Sequence, residues 1–264
     1  MNKIEIKPIG DFFETDFDGY IINPTSLDKI QLEYKDILND IVEIYKKRFG
    51  AKLHSVYVRG SVAKGTAIEN ISDIDTWCVV NDLEENIKTS WQLYKKELFK
   101  KYPEFDDIEM GETLLGDIGR GYKILLHQSV CIYGESVNVP KKKINSQLAM
   151  HAPNFEERFD WFVDLIEKDT SPANIRRKCV WLMKTFLRIG LELTLDRVGK
   201  YSRDLYPCYE IFSEYYPEKE PEMRRALYLA LNPIDDLNIL NNFKEDFGNW
   251  LLQESQKQEW KIYE

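Results

Sequence analysis

Ser55-Val56-Tyr57-Val58-Arg59-Gly60-Ser61-Val62-Ala63-Lys64-Gly65, followed five residues later by Ile71-Ser72-Asp73-Ile74-Asp75-Thr76-Trp77-Cys78-Val79-Val80, decides how this chain is read. An apolar run ends in Gly60-Ser61, and after an eleven-residue gap a second one opens with Asp73 and Asp75. In a strand, residues i and i+2 point to the same face. Asp73 and Asp75 then project side by side, with Ile74 turned to the core. Carboxylates held that close repel unless a divalent cation lies between them. Hard oxygen ligands of this kind suit magnesium, which also takes substrate phosphate oxygens. Gly60 allows close approach of backbone to a ligand. The amides that follow it can face phosphate at a helix N-terminus. A phosphate cradle beside a metal-binding pair of acids points to phosphoryl or nucleotidyl transfer.

Composition narrows the field. The 264 residues suit one large or two small domains, and a hydrophobic fraction of 43% with 13% aromatics is ample for a packed core. A net charge of −9 argues against a long nucleic acid as partner, which favours a basic footprint. No apolar run reaches membrane-spanning length, and Met1–Gly10 lacks the apolar core of a signal peptide. Cys78, Cys131, Cys179 and Cys208 have no paired spacing and read as small core hydrophobes of a reducing, cytoplasmic protein. His54, His127 and His151 lack metal-ligand spacing, so zinc is not expected.

Outward from the motif, Ser26 is expected to cap a helix to Phe49, with Ile30, Tyr34, Ile37, Leu38, Ile41, Ile44 and Tyr45 on one face and Gly50 as its stop. Strands are expected at 53–58 and 74–80, and a helix from Leu83 to Lys100. Phe105–Gly111 reads as a third strand, in which Ile108 and Met110 flank Glu109 as Ile74 sits between the two aspartates. This order can lay Glu109 beside Asp73 and Asp75; Asp107 shares its face and is the rival. A short helix near 118–128 and an apolar segment at 130–133 close the region. The basic run Lys141–Lys143 marks a linker, after which helices are expected at 144–168, 173–194, 203–215, 221–231 and 236–256. Trp161, Trp181 and Trp250 read as core residues of those helices.

Gly-Ser, a gap of this length, then Asp-x-Asp opening a strand resembles the signature of the DNA polymerase β-like nucleotidyltransferase superfamily. Within it the chain is most similar to the antibiotic nucleotidyltransferases, the kanamycin and streptomycin adenylyltransferases. The resemblance implies an α+β fold: a mixed sheet with helices over 1–138, followed by an all-helical domain over 139–264. It implies two magnesium ions on Asp73 and Asp75, with Glu109 as the third catalytic carboxylate, which binds the metal nearer the acceptor or takes the acceptor proton as general base. It implies that Gly60, Ser61 and Lys64 bind the nucleotide. A basic residue of the helical domain commonly reaches the triphosphate in this superfamily. Lys184 and Arg188 share a helical face with Arg177 and are the candidates, set against an ordinary solvated face. Tyr201-Ser202 either stack a base and bind phosphate, or pack and cap a helix. The nucleotide is expected between the two domains. The implied reaction moves a nucleoside monophosphate, AMP foremost, from a nucleoside triphosphate to a hydroxyl of a small aminoglycoside-like acceptor. The competing readings are a transferase acting on tRNA or protein, and a regulatory or antitoxin-like nucleotide-binding module. A module of that kind is expected to have lost the acidic pair or the Gly-Ser, and both are intact here. Acceptor, base and oligomeric state are not legible.

Overall fold

The computed structural model describes residues 8–67, 72–82, 91–105, 107–157 and 170–260. The chain forms two compact units, one of Ile21–Lys141 and one of Met1–Tyr20 with Lys142–Glu264. The later division falls at the basic linker, but the opening segment packs with the helical unit instead of the sheet. Phe13 N donates to Tyr201 O at 2.8 Å, Ser202 Oγ donates to Asp11 O at 2.7 Å, and the Phe13 and Tyr201 rings meet edge to face.

The sheet unit holds the motif. Strand β1 (Leu53–Arg59) pairs antiparallel with β2 (Ile74–Val80) and with β5 (Ser129–Gly134). On its other side β2 pairs in parallel with β3 (Ile108–Glu109) and β4 (Glu112–Leu114), so the sheet is mixed. The single strand expected at 105–111 is therefore two short strands. They break at Gly111, whose N–H goes to Tyr45 Oη while its carbonyl accepts from Cys78 N. Helix α1 (Lys35–Phe49) lays Ile37, Ile41 and Tyr45, all fully buried, on the face formed by Val56, Val58, Ile74, Cys78 and Val80. Alternation sends Tyr57, Trp77 and Val79 to the opposite face, where the two rings stack at 4.7 Å beside Leu126.

Helix α1 begins nine residues after Ser26. Residues 27–34 instead form two 3-10 turns, and Ser26 makes no side-chain cap. This stretch is held against the turn after β1: Ser26 N donates to Ala63 O, and a Cβ on Gly65 would come within 2.6 Å of Lys29 O. Gly65 also ends α2 (Gly60–Lys64) with φ of +73°, the left-handed cap that glycine adopts without penalty. Helix α3 (Gln92–Lys101) and α4 (Arg120–Leu126) complete the unit; residues 83–90 of the expected Leu83–Lys100 helix lie outside the described residues.

The helical unit is organised on α5 (Pro172–Glu192), which starts with proline where no amide is needed. Leu205–Tyr215 and Glu220–Leu231 pack on it, and the expected helices at 173–194, 203–215 and 221–231 are present within two residues. The expected helix at 236–256 is capped by Asp236 but passes through a π turn at Lys244–Gly248. The start of the expected 144–168 helix is instead two 3-10 turns, Ser146–Leu148 and Ala152–Asn154. Asn145 takes the amide of Gln147 and Pro153 cannot donate, so the segment does not propagate as α-helix. Residues 158–169, with Trp161, lie outside the described residues. Trp250 stacks on Phe247, and Trp181 is half-buried. The four cysteines are free thiols, three of them buried. Among the described residues no helix is long and apolar enough to cross a membrane.

One buried polar knot closes this unit. Glu192, at the last turn of α5, accepts from the amides of Met150, His151 and Ala152, and His151 Nδ1 lies 2.9 Å from its Oε1. Burial drives the His151 imidazole down to about 4 against the opposing Glu192 charge, with Arg203 and Arg188 adding to the fall. Burial also works to raise Glu192, but His151 and the backbone amides outweigh it and hold the carboxyl below its ordinary range. The unfolded chain therefore binds more protons than the folded one as pH falls from about 6.5, the unperturbed imidazole value, toward 4. The Glu192 contribution is present above the usual carboxylate range and is lost as pH drops through its lowered folded value. Melting temperature should fall over that acid window. In His151→Asn the fall should be shallower, and an equal slope in differential scanning calorimetry would count against a buried neutral imidazole.

Candidate active site

The register of the sheet brings four residues into one row: Ser129 of β5 opposite Arg59 of β1, Arg59 opposite Asp75 of β2, and Asp75 opposite Glu109 of β3. Arg59 Nη2 lies 2.8 Å from Asp75 Oδ1 and 2.5 Å from Glu109 Oε2. The Asp75 side chain is 10% exposed, Arg59 21% and Glu109 62%, so the row runs from the interior to solvent. Burial alone would raise the Glu109 carboxyl. Hydrogen bonding with Asp75 and the Arg59 guanidinium outweigh it and hold Glu109 below the usual carboxylate range, while Asp73 pushes upward and Lys95 downward. Asp73 itself sits one residue before β2 and is exposed.

Glu109 is the carboxylate that the row selects. Ile108 and Met110 are buried on either side of it, so its side chain turns out of the core. The exposed Asp107 instead lends its carbonyl to Ile74 N. The backbone of Glu109 is fixed from below. Thr76 Oγ1 donates to Glu109 O at 2.9 Å, and the buried Tyr45 hydroxyl lies 3.4 Å from Thr76 Oγ1 while accepting from Gly111 N. The far end of the row is held by Asn23, whose Nδ2 donates to Ser129 O at 2.8 Å and whose Oδ1 accepts from Thr25.

Gly60 has a different immediate neighbour from the one its sequence position suggests. Its φ is +72°, and a Cβ there would stand 2.6 Å from Asp75 Oδ2. The glycine makes room for the acid itself. From Gly60 the chain turns directly into α2, with Val62 and Ala63 fully buried and Ser61 and Lys64 half-buried. The first-turn amides of any helix lack intrahelical acceptors, which makes this the natural anion-facing end of the motif.

Among the described residues no group of three His, Cys, Asp or Glu side chains meets closely enough to hold a metal as it stands. The donor set nevertheless fits a hard divalent cation. Asp75 and Glu109 already converge on one cationic nitrogen, and the field of the nearby Asp73 is felt at Glu109.

Residues 38–111 match the family model described as nucleotidyltransferase domain. The chain carries a nucleotidyltransferase domain. The matched segment of that domain contains Arg59, Gly60, Ser61, Asp73, Asp75 and Glu109. Among solved structures, the chain resembles spectinomycin adenyltransferase AAD(9) from Enterococcus faecialis, solved with ATP and spectinomycin. That match has 14% identity and a TM-score of 0.51, over 84% of this chain and 99% of that one, a likeness of fold. A toxin-antitoxin structure with AMP-PNP matches at 26% identity and a TM-score of 0.29, over 37% of this chain and 73% of that one. No curated protein matches the sequence.

The remaining sequence candidates lie outside the nucleotidyltransferase domain. Lys184 and Arg188 are half-buried on α5 of the helical unit; of the basic run before them, Arg176 pairs with Asp235 and Lys178 is buried. Tyr201 and Ser202 are buried, with the Ser202 hydroxyl committed to Asp11 O and Asp204 N. The packing alternative describes these two, because their polar atoms hold the opening segment of the chain. Sequence reading gave no role to Arg59 or Asn23. Strand alternation carried the signal for Arg59, two residues beyond the core-facing Tyr57 and level with the acids. Gly60→Ala should cost about 1–2 kcal/mol from the left-handed backbone alone, and should push Asp75 out of the row. Gly116→Ala, where an added Cβ meets nothing within 4 Å, is the near-neutral control. Equal urea midpoints for the two variants would contradict this account of Gly60.

Proposed function

We propose that the protein transfers a nucleoside monophosphate, AMP from ATP, to a hydroxyl of a small cationic acceptor. The observation that carries the reading is the row of Arg59, Asp75 and Glu109 beside the Gly60-Ser61 turn, in a chain with a nucleotidyltransferase domain. Asp73, Asp75 and Glu109 would hold magnesium, two ions in all, which when bound neutralises charge on the triphosphate oxygens. Ser61 and the first-turn amides of α2 would position the β- and γ-phosphates, with Lys64 adjoining. The acceptor hydroxyl oxygen would then bond to the α-phosphorus as the bond to pyrophosphate breaks. Glu109, exposed at the solvent end of the row, would either bind the metal nearer the acceptor or take the hydroxyl proton as general base. Asp75, deeper and held between Gly60 and Arg59, is suited to hold position.

Two features support the class of acceptor. The net charge of −9 favours an amine-bearing molecule over a polynucleotide, whose many phosphates require a basic surface. The fold-level neighbour, solved with ATP and spectinomycin, suggests ATP and a small aminoglycoside-like compound as the first pair to try.

Pyrophosphate release with magnesium, ATP and a panel of aminoglycoside-like amines should be detectable in wild type. It should fall by at least about a hundredfold in Asp73→Asn, Asp75→Asn and Glu109→Gln, the scale of removing a preorganised electrostatic group. Near-wild-type turnover in both aspartate variants would sink the reading. Labelled nucleotide should appear on small amines and not on total cellular RNA, and added salt should weaken turnover only modestly. Robust labelling of a transfer RNA with no amine modified would overturn the acceptor and leave the transfer chemistry standing.

A further inference from the structure

We propose that Arg59 is a built-in stand-in for the divalent cation: its guanidinium holds Asp75 and Glu109 together while the metal is absent and must swing out before a cation can bridge them. The inference rests on reading these acids as a metal site. One nitrogen, Nη2, serves both carboxylates, at 2.8 Å from Asp75 Oδ1 and 2.5 Å from Glu109 Oε2. Magnesium binds oxygen at about 2.0–2.1 Å. A cation shared by those same two oxygens needs the volume that Nη2 fills, so the two occupants exclude one another.

The surroundings explain why a stand-in is needed. The acids are brought level by strand register, and Gly60 lets Asp75 Oδ2 lie against the backbone. Asp75 is nearly buried, and a buried carboxylate stripped of its counter-charge is costly. Asp73 adds a third negative charge within range of Glu109, where the charge of Lys95 on α3 is also felt. The backbone of Arg59 is paired on both sides, to Asp75 and to Ser129, so release has to come from rotation of the long side chain and not from movement of the strand. The Arg59 side chain is itself 21% exposed, so it is not sealed in the core.

The consequence is that a free cation competes with an internal one. A cation that arrives with a triphosphate brings anionic oxygens to which a released guanidinium can turn, so cation and nucleotide should bind more tightly together than either alone. The test is Mn²⁺ binding, followed by electron paramagnetic resonance without nucleotide, in wild type, Arg59→Gln and Arg59→Lys. The Gln variant should bind Mn²⁺ on the order of tenfold more tightly, the size of losing one charge-assisted hydrogen-bonded competitor. The Lys variant, which keeps the charge, should stay near wild type. In EDTA the Gln variant should melt lower than wild type and recover when Mn²⁺ is added. If it does not fold without metal, its rescue by Mn²⁺ is the same result read through stability, and failure of rescue overturns the proposal. Equal or weaker Mn²⁺ binding in Arg59→Gln, with wild type binding normally, also overturns it. Absence of Mn²⁺ binding in every variant, with or without an ATP analogue, would remove the metal reading itself.

Discussion

The pairing of Arg59 with Asp75 and of Asp75 with Glu109 across three strands is the constraint on which the rest of the site depends. Register has a period of two, so a slip of one residue in β2 or β3 would turn an acid into the core and an apolar side chain into the site. The structure guards against that slip on the core side. Ile74 and Ile108 are directly paired and fully buried, and the buried hydroxyls of Thr76 and Tyr45 tie down the carbonyl of Glu109 and the amide of Gly111. The interruption of the edge strand at Gly111 follows from that tie. It keeps the stretch that carries Glu109 short and locally fixed.

Such a row is electrostatically expensive, and three features offset the cost. Gly60 admits the Asp75 carboxylate at a distance no side-chain-bearing residue would allow. Arg59 supplies positive charge between the two acids. Glu109 remains open to water, so its charge is partly screened by solvent. The oxygens of both acids thereby converge on one positive charge, with Asp75 held deep and Glu109 open to water.

Much of this was legible in the sequence for a physical reason. The acids carry their meaning in their i, i+2 spacing, and Ile108 and Met110 mark the outward face of Glu109 by being apolar on either side of it. The long helices of the second half announce themselves through period and through prolines at their starts. What stayed hidden was tertiary in origin. Residues 27–34 have helical periodicity, but α2 and the Gly65 turn recruit them and Ser26 goes to Ala63. Tyr201 and Ser202 resemble ligand-binding residues until Asp11 and Phe13 return from the other end of the chain to meet them. The Glu192–His151 knot joins residues 41 positions apart, with no local spacing to betray it. Arg59 stood in plain view, but its role depends on which strand lies beside β2.

The central expectation is that this row, with Asp73, binds a divalent cation together with a triphosphate. The most direct measurement is titration of Mn²⁺ with a non-hydrolysable ATP analogue into wild type and Asp75→Asn, reading bound metal by electron paramagnetic resonance. The account predicts saturable, nucleotide-enhanced Mn²⁺ binding in wild type and its loss in Asp75→Asn with the fold intact. Indistinguishable binding curves for the two proteins would contradict it.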